Sequence, residues 1–278
     1  MLASLKTVLA WAEEHNAAVG AFNTPTLESL VAVLEAAEEL NTPVIISHAE
    51  LHEPEAPLDM IGPYMVFAAK RAKVPVCVHL DHGEHPDYIY RAIDMGFTAA
   101  MYDGSLLPEA ENVKTTCDVV AYAHARGVDV EAEIGAMGSR EGGGAGSGAV
   151  YTDPDEALRF VQATGIDALA ASFGTAHGIY KEKPKLDFPR ITRIREVTGL
   201  PLVMHGGSGV SPEDYRKAIS CGVRKINYYT YMAKEGVKAT DALLKARDVT
   251  WYHEIAAVAQ AAMKEDVLKA MAVFMNKD

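Results

Sequence analysis

The feature that most constrains the fold is a regular alternation of short apolar runs with longer amphipathic segments. The apolar runs are rich in β-branched residues, which is typical of strands buried on both faces of a parallel sheet. Between these runs, apolar residues recur every three to four positions, which predicts helices. The predicted strands are 17–22, 44–47, 76–82, 98–102, 128–133, 167–173, 201–204 and 224–228. The predicted helices are 1–16, 27–40, 57–73, 86–95, 108–126, 154–164, 186–198, one that begins at 212, and the chain beyond the eighth strand.

Eight strands that are each followed by a helix favour a closed (β/α)8 TIM barrel, an α/β fold that takes roughly 250 residues as one domain. The chain has 278 residues, so we predict a single domain, 1–278, with an N-terminal helix and extra C-terminal helices. The glycine-rich segment 135–148 predicts a loop inside this domain, because the alternation resumes directly after it. An open doubly wound sheet is the alternative, but no GxGxxG turn follows the first strand.

Composition restricts the kinds of partner that the protein can bind. The formal net charge is −12, whereas nucleic acids and anionic membranes require a basic surface. We therefore expect no nucleic acid and no membrane as partners. An anionic small molecule stays compatible with this charge, because backbone N–H groups and helix N-termini can bind anions in an acidic protein.

Cysteine usage and the N-terminal segment predict a cytoplasmic location. Cys77, Cys117 and Cys221 are widely spaced and form no CxxC pair, so we expect reduced thiols, with Cys77 and Cys221 buried. Residues 1–16 have the pattern of an amphipathic helix instead of a signal peptide. No apolar run approaches the length of a membrane span.

Polar residues collect where the predicted strands end, which is the rim that carries the active site in a (β/α)8 barrel. Asp81 and His82 end the third strand, His177 follows the sixth, and His205 ends the seventh. A single histidine is more often structural, but three at one rim favour a shared role. Three imidazoles around an open position suit catalytic zinc, so we predict His82, His177 and His205 as its ligands. Further carboxylates at this rim are Asp103, Glu131 and Glu133.

The other histidines are weaker candidates for the site. His48 and His52 lie on or near the same rim, and the residues alone leave open whether they line a substrate pocket or are structural. His79 shares a strand face with Asp81, so we interpret it as part of the core or as support for the site.

A glycine turn after the seventh strand predicts a phosphate site. Gly206, Gly207 and Ser208 let backbone N–H groups converge on an anion, and the helix that begins near 212 adds its dipole. Asn227 and Thr230 end the eighth strand, and the loops after strands seven and eight are the usual phosphate site of this fold. A tight turn without a ligand is the alternative. Zinc beside a phosphate site indicates a sugar phosphate substrate.

A metal at this rim could polarise a carbonyl and stabilise an enediolate, a reaction that also needs a base and an acid. Asp81 lies beside a predicted metal ligand and is a candidate for one of these roles. Glu141 lies in the glycine-rich loop, which could close over the site. Without further information, Glu141 is better explained as a solvated loop charge.

A set of motifs distributed over nearly the whole chain, from Asn23 to Glu265, resembles the class II, zinc-dependent ketose-bisphosphate aldolases, which include the fructose- and tagatose-bisphosphate enzymes. The motifs are Leu80-Asp81-His82-Gly83, Tyr102-Asp103-Gly104-Ser105, Glu131-Ala132-Glu133-Ile134-Gly135, His177-Gly178, His205-Gly206-Gly207-Ser208-Gly209 and Lys225-Ile226-Asn227.

The resemblance implies a reversible cleavage of a ketose (bis)phosphate into dihydroxyacetone phosphate and an aldehyde, in a homodimer or homotetramer. It implies one Zn²⁺ per subunit on His82, His177 and His205, with Asp103 and Glu133 behind these ligands or as alternate metal contacts. Asp81 would be the acid/base residue at the C4 oxygen, and Glu141 would move the C3 proton. Glycines of these loops would also bind Na⁺ or K⁺. The phosphate would bind at Gly178, Gly206, Gly207, Ser208, Asn227 and Thr230.

Several positions depart from the pattern of this family. Ala49 stands where Ser or Thr is usual, Leu106 where His is usual, and Tyr231 where Glu is usual, and the segment 47–52 is unlike the common forms. Tyr228 and Tyr229 also differ from the family's residues between Asn227 and Thr230. The metal and phosphate residues themselves are intact, and the altered flank is the one near the second aldehyde. We therefore expect the family's half-reaction on dihydroxyacetone phosphate, and we leave the aldehyde partner open. The candidate residues for the aldehyde pocket are Asn23, His48 and His52.

Three other functions are compatible with parts of the pattern. A Schiff-base aldolase needs a lysine inside the barrel, and Lys225 is the one strand-end candidate. A zinc hydrolase usually has a His-x-His pair or an additional carboxylate ligand. A non-catalytic sugar-phosphate-binding or accessory subunit would not need to retain the set formed by Asp81 and the three histidines.

Overall fold

Eight parallel strands form a closed barrel in which each strand pairs with its neighbours in sequence order, from β1 to β8 and back to β1. This computed structural model describes residues 1–135, 151–180 and 182–276, and it confirms the predicted (β/α)8 fold. The strands are β1 (Val19–Asn23), β2 (Val44–Ala49), β3 (Val76–Gly83), β4 (Ala99–Tyr102), β5 (Asp129–Ile134), β6 (Ala168–Ala171), β7 (Leu202–Met204) and β8 (Val223–Asn227).

The helices surround the barrel and follow the predicted order. Three of them have the predicted bounds, and the predicted C-terminal helical region consists of two helices separated by the segment 247–251. The helices are α1 (Leu5–Glu14), α2 (Leu27–Leu40), α3 (Leu58–Arg71), α4 (Pro86–Met95), α5 (Glu109–His124), α6 (Pro154–Thr164), α7 (Phe188–Thr198), α8 (Pro212–Ser220), α9 (Thr230–Ala246) and α10 (Tyr252–Phe274).

Local sequence explains why several helices begin and end where they do. The Asp153 side chain accepts hydrogen bonds from the N–H groups of the first turn of α6, and the Ser211 side chain does the same for α8. Each of these capping residues is followed by a proline at the first helical position, where the missing N–H costs nothing. At the other end, Gly96 closes α4 with a φ of 105°, a left-handed conformation that favours glycine.

Two apolar layers hold the barrel together. The larger layer lies between the outer faces of the strands and the surrounding helices. The smaller layer fills the barrel interior near the start of the strands, where Ile45, Cys77 and Val203 meet Leu5 and Val8 of α1. Helix α1 therefore closes the N-terminal end of the barrel, so the opposite end is the one open to a substrate. Cys221 is half-buried, not buried as predicted, because it lies at the exit of α8.

No helix in the described ranges combines the length and the apolar character needed to cross a bilayer.

The Asp153 cap gives a direct test of the local argument. We expect Asp153→Ala to lower the free energy of unfolding by about 1 kcal/mol, because two N–H groups of α6 lose their acceptor. The urea midpoint, followed by circular dichroism, measures this change. Asp153→Asn is the matched control, since asparagine retains the acceptor and should stay within a few tenths of a kcal/mol of the wild type. Equal midpoints for the alanine variant and the wild type would contradict the cap.

Candidate active site

The C-terminal rim of the barrel brings together the three histidines that the sequence singles out. His82 lies at the end of β3, His177 follows β6, and His205 follows β7. One nitrogen of each ring lies within 4.8 Å of a nitrogen of the other two. His82 Nε2 and His205 Nδ1 lie 2.9 Å apart. The arrangement predicted from three separate segments is therefore present as one cluster.

An irregularity in β3 explains how two consecutive residues both serve this cluster. In a regular strand Asp81 and His82 would point to opposite faces of the sheet. The β3–β4 register shifts between Leu80 and Gly83, and His82 has a φ of 46°. A bulge of this kind re-aims side chains, and a left-handed histidine is an uncommon conformation that functional sites often retain. As a result, Asp81 and His82 line the same cleft.

Carboxylates fix the orientation of two of the imidazoles from behind. Asp103 Oδ2 lies 2.9 Å from His82 Nδ1, and Glu131 Oε1 lies 2.8 Å from His205 Nε2. When these outer nitrogens donate to carboxylates, His82 Nε2 and His205 Nδ1 face each other as lone-pair nitrogens. Two lone pairs at this distance repel each other, so the arrangement requires a cation or a proton between the two nitrogens. Histidines oriented in this way by carboxylates are characteristic of metal ligands in proteins.

The charges around the cluster favour a positive group. Burial lowers the pKa of His82, but the carboxylates of Asp81 and Asp103 outweigh this effect and raise it to about 10. Burial lowers the pKa of His177 to about 3, and the neighbouring imidazoles add to the effect. His177 is therefore neutral at pH 7, which is the form that binds a metal. The donor set and the local field both fit a divalent cation held by His82, His177 and His205.

The surroundings of Glu133 also fit a nearby cation. Its carboxylate is buried, and in the described part of the chain its Oε2 makes no hydrogen bond. Burial and the nearby Asp103 raise the pKa of Glu133 well above its usual range. Oxygens or nitrogens of Glu133, Asp103 and His82 also lie within 4.8 Å of one another. This second group fits the expectation that Asp103 and Glu133 stand behind the ligands or offer an alternate metal position.

Asp81 is held in place by a residue from the far side of the barrel. Asn227 Nδ2, at the end of β8, donates to Asp81 Oδ1 at 3.0 Å. Burial alone would raise the pKa of Asp81, but the imidazoles of His82 and His205 lower it below its usual range. Asp81 is therefore an ionised carboxylate beside the metal ligands, which is the form that can accept a proton.

The glycine turn after β7 depends on close backbone packing. A Cβ on Gly206 would lie 2.3 Å from the carbonyl oxygen of Ala176, and Gly206 has a φ of 61°. The Gly207 N–H donates to the carbonyl of Asn227, so this group is already used within the protein. Helix α9 begins at Thr230 with no side-chain cap on its first turn. Its N-terminus therefore offers N–H groups and a positive dipole end to the cleft, a ready anion site.

One cleft joins these parts. It is lined by Asp81, by two of the three histidines, by the glycine turn and by the start of α9. Two residues that sequence reasoning missed, Tyr228 and Tyr229, also line it, because their side-chain directions depend on how the chain leaves β8. The full lining is Asn23, Asp81, His82, His177, Gly178, Gly206, Gly207, Ser208, Asn227, Tyr228, Tyr229 and Thr230.

The remaining candidates lie elsewhere. His48 is fully buried and its Nε2 bonds to the hydroxyl of Tyr88 at 2.8 Å. The His52 ring packs edge-on against Tyr229, with ring centroids 5.4 Å apart. These two histidines therefore stand behind the wall of the cleft instead of lining it, whereas Asn23 lines it. Glu141 lies outside the described residues.

Lys225 occupies the barrel interior below the histidines. Its side chain is fully buried, and its Nζ lies 2.7 Å from Glu131 Oε2. An ammonium group that is paired with a carboxylate is not a nucleophile, so this lysine is poorly suited to form a Schiff base. Lys225 instead fixes Glu131, which in turn orients His205. Sequence inspection flagged Glu131 as a strand-end carboxylate but not its contact with His205, because that contact crosses the barrel.

Comparisons with known proteins identify the family of this chain. The family model for class II fructose-bisphosphate aldolase matches residues 3–278. The fructose-bisphosphate aldolase of Geobacillus stearothermophilus is 42% identical over 280 residues, which cover 98% of this chain and 96% of that protein. The Staphylococcus aureus enzyme of the same name is 42% identical over 274 residues, which cover 96% of this chain and 94% of that protein.

Solved structures show the same relationship. The YdjI aldolase of Escherichia coli K12 superimposes with a TM-score of 0.89 at 34% identity, over 99% of this chain and 97% of that one. The family is generally metal-dependent, and its substrates are sugar phosphates. The chain therefore belongs to the class II fructose-bisphosphate aldolase family and is an aldolase, a carbon–carbon lyase.

Proposed function

We propose that the protein is a zinc-dependent aldolase that reversibly cleaves a ketose phosphate into dihydroxyacetone phosphate and an aldehyde. The ketose would resemble fructose or tagatose 1,6-bisphosphate in its first three carbons. The observation that carries this proposal is the cluster of three histidine nitrogens within 4.8 Å of one another, beside a cleft with an anion site at its edge.

One Zn²⁺ per subunit would be held by His82, His177 and His205, with Asp103 and Glu131 orienting two of the rings. When bound, zinc supplies a positive charge that polarises the substrate carbonyl and offsets the negative charge of the enediolate. Neutral imidazole ligands suit zinc better than magnesium or calcium, which prefer oxygen. Asp103 and Glu133 would offer an alternate position for the ion.

The phosphate of dihydroxyacetone phosphate would bind between the loops after β6, β7 and β8. The residues proposed to contact it are Gly178, Gly206, Gly207, Ser208, Asn227 and Thr230, all of which line the cleft. The uncapped first turn of α9 supports this assignment, because free N–H groups there can donate to phosphate oxygens. We also propose that carbonyl groups of these glycine turns bind Na⁺ or K⁺, which would offset part of the phosphate charge.

Asp81 would act at the bond that breaks. As the C3–C4 bond of the ketose cleaves, the Asp81 carboxylate accepts the proton of the C4 hydroxyl, and C4 leaves as the aldehyde carbonyl. The electron pair of the broken bond stays with C3 and forms the enediolate of dihydroxyacetone phosphate. The hydrogen bond from Asn227 Nδ2 keeps the Asp81 carboxylate facing the cleft.

Glu141 would complete the reaction by delivering a proton to C3 of the enediolate, and would remove that proton in the direction of synthesis. Its place in a glycine-rich segment supports this role, because such a segment can bring a carboxyl group over a bound substrate and exclude water.

The alternative is a non-catalytic sugar-phosphate-binding or accessory subunit of the same fold. Such a subunit has no need for an oriented metal cluster. Catalysis is supported by two features: carboxylates orient His82 and His205, and the bulge in β3 directs Asp81 into the cleft. A subunit that only binds sugar phosphate would retain the glycine turn without them.

We further propose one domain over 1–278 and assembly into a homodimer or homotetramer, in the cytoplasm and without nucleic acid or membrane partners. An apolar groove between α2, α9 and α10 supports assembly, because Val237, Leu244 and Tyr252 line it and are well exposed. Free thiols at Cys77, Cys117 and Cys221 support a reducing compartment. The acidic net charge supports the absence of polyanionic partners.

We expect His205→Ala to lose bound zinc and the cleavage activity, because a metal site with two imidazoles loses most of its affinity. Zinc content after gel filtration, measured by inductively coupled plasma mass spectrometry, and cleavage of fructose 1,6-bisphosphate and tagatose 1,6-bisphosphate report the two effects. His15→Ala, on the α1 side of the barrel, is the control and should retain both. Equal zinc content in His205→Ala and wild type would rule out this ligand.

We expect Asp81→Asn to keep zinc and to lose about 10²- to 10⁴-fold in kcat of cleavage, because the amide cannot accept the C4 proton. The C3 proton exchange of dihydroxyacetone phosphate, followed by NMR in D2O, should persist, since that step does not use Asp81. If cleavage and exchange fall by the same factor, Asp81 does not act specifically at the C4 oxygen.

We expect Glu141→Gln to slow C3 proton exchange by about 10²-fold or more, because the amide cannot carry the proton. The inhibition constant of a non-reacting phosphate analogue such as phosphoglycolohydroxamate should change less than threefold, since the phosphate contacts lie on other loops. Glu156→Gln, on the exposed side of α6, is the control. A variant with normal exchange and weak analogue binding would show that Glu141 binds phosphate instead.

A further inference from the structure

We infer that the aldehyde released or captured by this enzyme is a neutral, hydroxyl-bearing aldehyde that carries no phosphate. The inference rests on the proposed aldolase function and concerns the half of the substrate that the family resemblance leaves open. It follows from the charges and hydrogen-bonding groups at the end of the cleft opposite the proposed phosphate site.

The order of the strands in the barrel indicates where each half of the substrate would lie. The proposed site for the first phosphate lies after β7 and β8, at Ser208 and Thr230. Asp81 lies at the end of β3, and β1 and β2 stand between β3 and β8 in the closed barrel. A ketose that has its first phosphate near β8 and its C4 hydroxyl at Asp81 must extend its remaining carbons over the ends of β1 to β3.

The chain that leaves these three strands is acidic and has no basic residue. The segments 24–27, 50–59 and 84–87, which connect β1, β2 and β3 to their helices, contain neither lysine nor arginine. Within this region Arg91 of α4 pairs with Asp59, at 2.8 Å. The carboxylates in the three segments are Glu50, Glu53, Glu55, Asp59, Glu84 and Asp87.

The opposite end of the cleft carries basic residues, unlike the first. Lys185 lies in the segment after β6 with Lys183, which pairs with Asp214 at 3.2 Å, and Lys234 lies in the first turns of α9 beside Glu235. Helix α9 also directs its N-terminus there. A dianionic group is therefore favoured over the ends of β6 to β8 and disfavoured over the ends of β1 to β3. A second phosphate on the aldehyde would find neither lysine nor arginine in the segments that leave β1, β2 and β3.

At the aldehyde end Asn23 and Tyr229 line the cleft, and His48 and His52 lie behind its wall. Asn23 offers an amide, and Tyr229 forms the wall against which His52 packs. His52 is 9% exposed, and among the described residues its Nδ1 makes no hydrogen bond. His48 is also buried, and its Nδ1 likewise makes no hydrogen bond among the described residues.

Neutral rings fit this environment. Burial lowers the pKa of His48 to about 4 and lowers the pKa of His52 as well. The two imidazoles therefore add no positive charge at pH 7. Because they stand behind the cleft wall, the group that this end presents to the substrate is the Asn23 amide, which matches a hydroxyl group better than a phosphate dianion.

The test compares matched pairs of aldehydes in the synthesis direction with the zinc-loaded full-length enzyme. The pairs are D-glyceraldehyde with D-glyceraldehyde 3-phosphate, and D-erythrose with D-erythrose 4-phosphate, each with dihydroxyacetone phosphate. We expect kcat/KM to be at least about tenfold higher for the unphosphorylated member of each pair. An equal or higher kcat/KM for the phosphorylated member in either pair would overturn the inference.

Exchange of the C3 proton of dihydroxyacetone phosphate, measured without any aldehyde, distinguishes a failure of the inference from a failure of the proposed aldolase function. If exchange is present and the phosphorylated aldehydes are preferred, the inference fails and the proposed aldolase function stands. If neither exchange nor condensation with any aldehyde is detected, the proposed function fails, and the inference fails with it.

A charge-reversal pair tests the electrostatic cause. Glu55 is exposed and lies within electrostatic reach of His52. We expect Glu55→Lys to raise kcat/KM for D-glyceraldehyde 3-phosphate about threefold relative to D-glyceraldehyde at low ionic strength, and to lose this gain in 0.5 M NaCl. Glu14→Lys makes the same charge change at the end of α1, on the closed side of the barrel, and should leave the ratio unchanged. An equal change of the ratio in both variants would remove the local charge as its cause.

Discussion

A buried carboxylate, Glu131, connects the interior of the barrel to the chemistry at its rim. One of its oxygens lies 2.7 Å from Lys225 Nζ, and the other lies 2.8 Å from His205 Nε2. Removing one member of such a fully buried set leaves an uncompensated charge, which costs about 3–5 kcal/mol. The orientation of His205 therefore depends on an ion pair between β5 and β8, and that pair forms only when the barrel closes.

Two opposing charge environments divide the cleft, and each follows from how the strands end. Asp81 and Asp103 place negative charge beside the imidazole cluster, so a cation there is favoured. Backbone N–H groups at the start of α9 create the opposite field a short distance away. A substrate that carries both a metal-binding carbonyl and a phosphate satisfies both fields at once, which agrees with the sugar phosphates used by this family.

Much of the fold could be predicted from local sequence, because the signals act over a few residues. Asp153-Pro154 and Ser211-Pro212 begin α6 and α8 as predicted, and Gly96 ends α4. The observed strand bounds differ from the predicted ones by at most two residues, since a strand ends where its pairing ends. The separation of α9 from α10 was missed, because the segment between them has no helix-breaking glycine or proline.

By itself, the sequence determined the eight strand–helix units, the capped helices and the three histidines that meet at one rim. It could do so because periodicity, capping and the position of a residue at a strand end are local properties. The tertiary structure alone decided which way the side chains point. The bulge at Leu80–Gly83 turns Asp81 and His82 to the same cleft, and closure of the barrel brings Asn227 to Asp81 and Glu131 to His205. It also places His48 and His52 behind the cleft wall. Contacts between strands that are distant in sequence leave no local pattern, since their partners are set by the register and closure of the whole sheet.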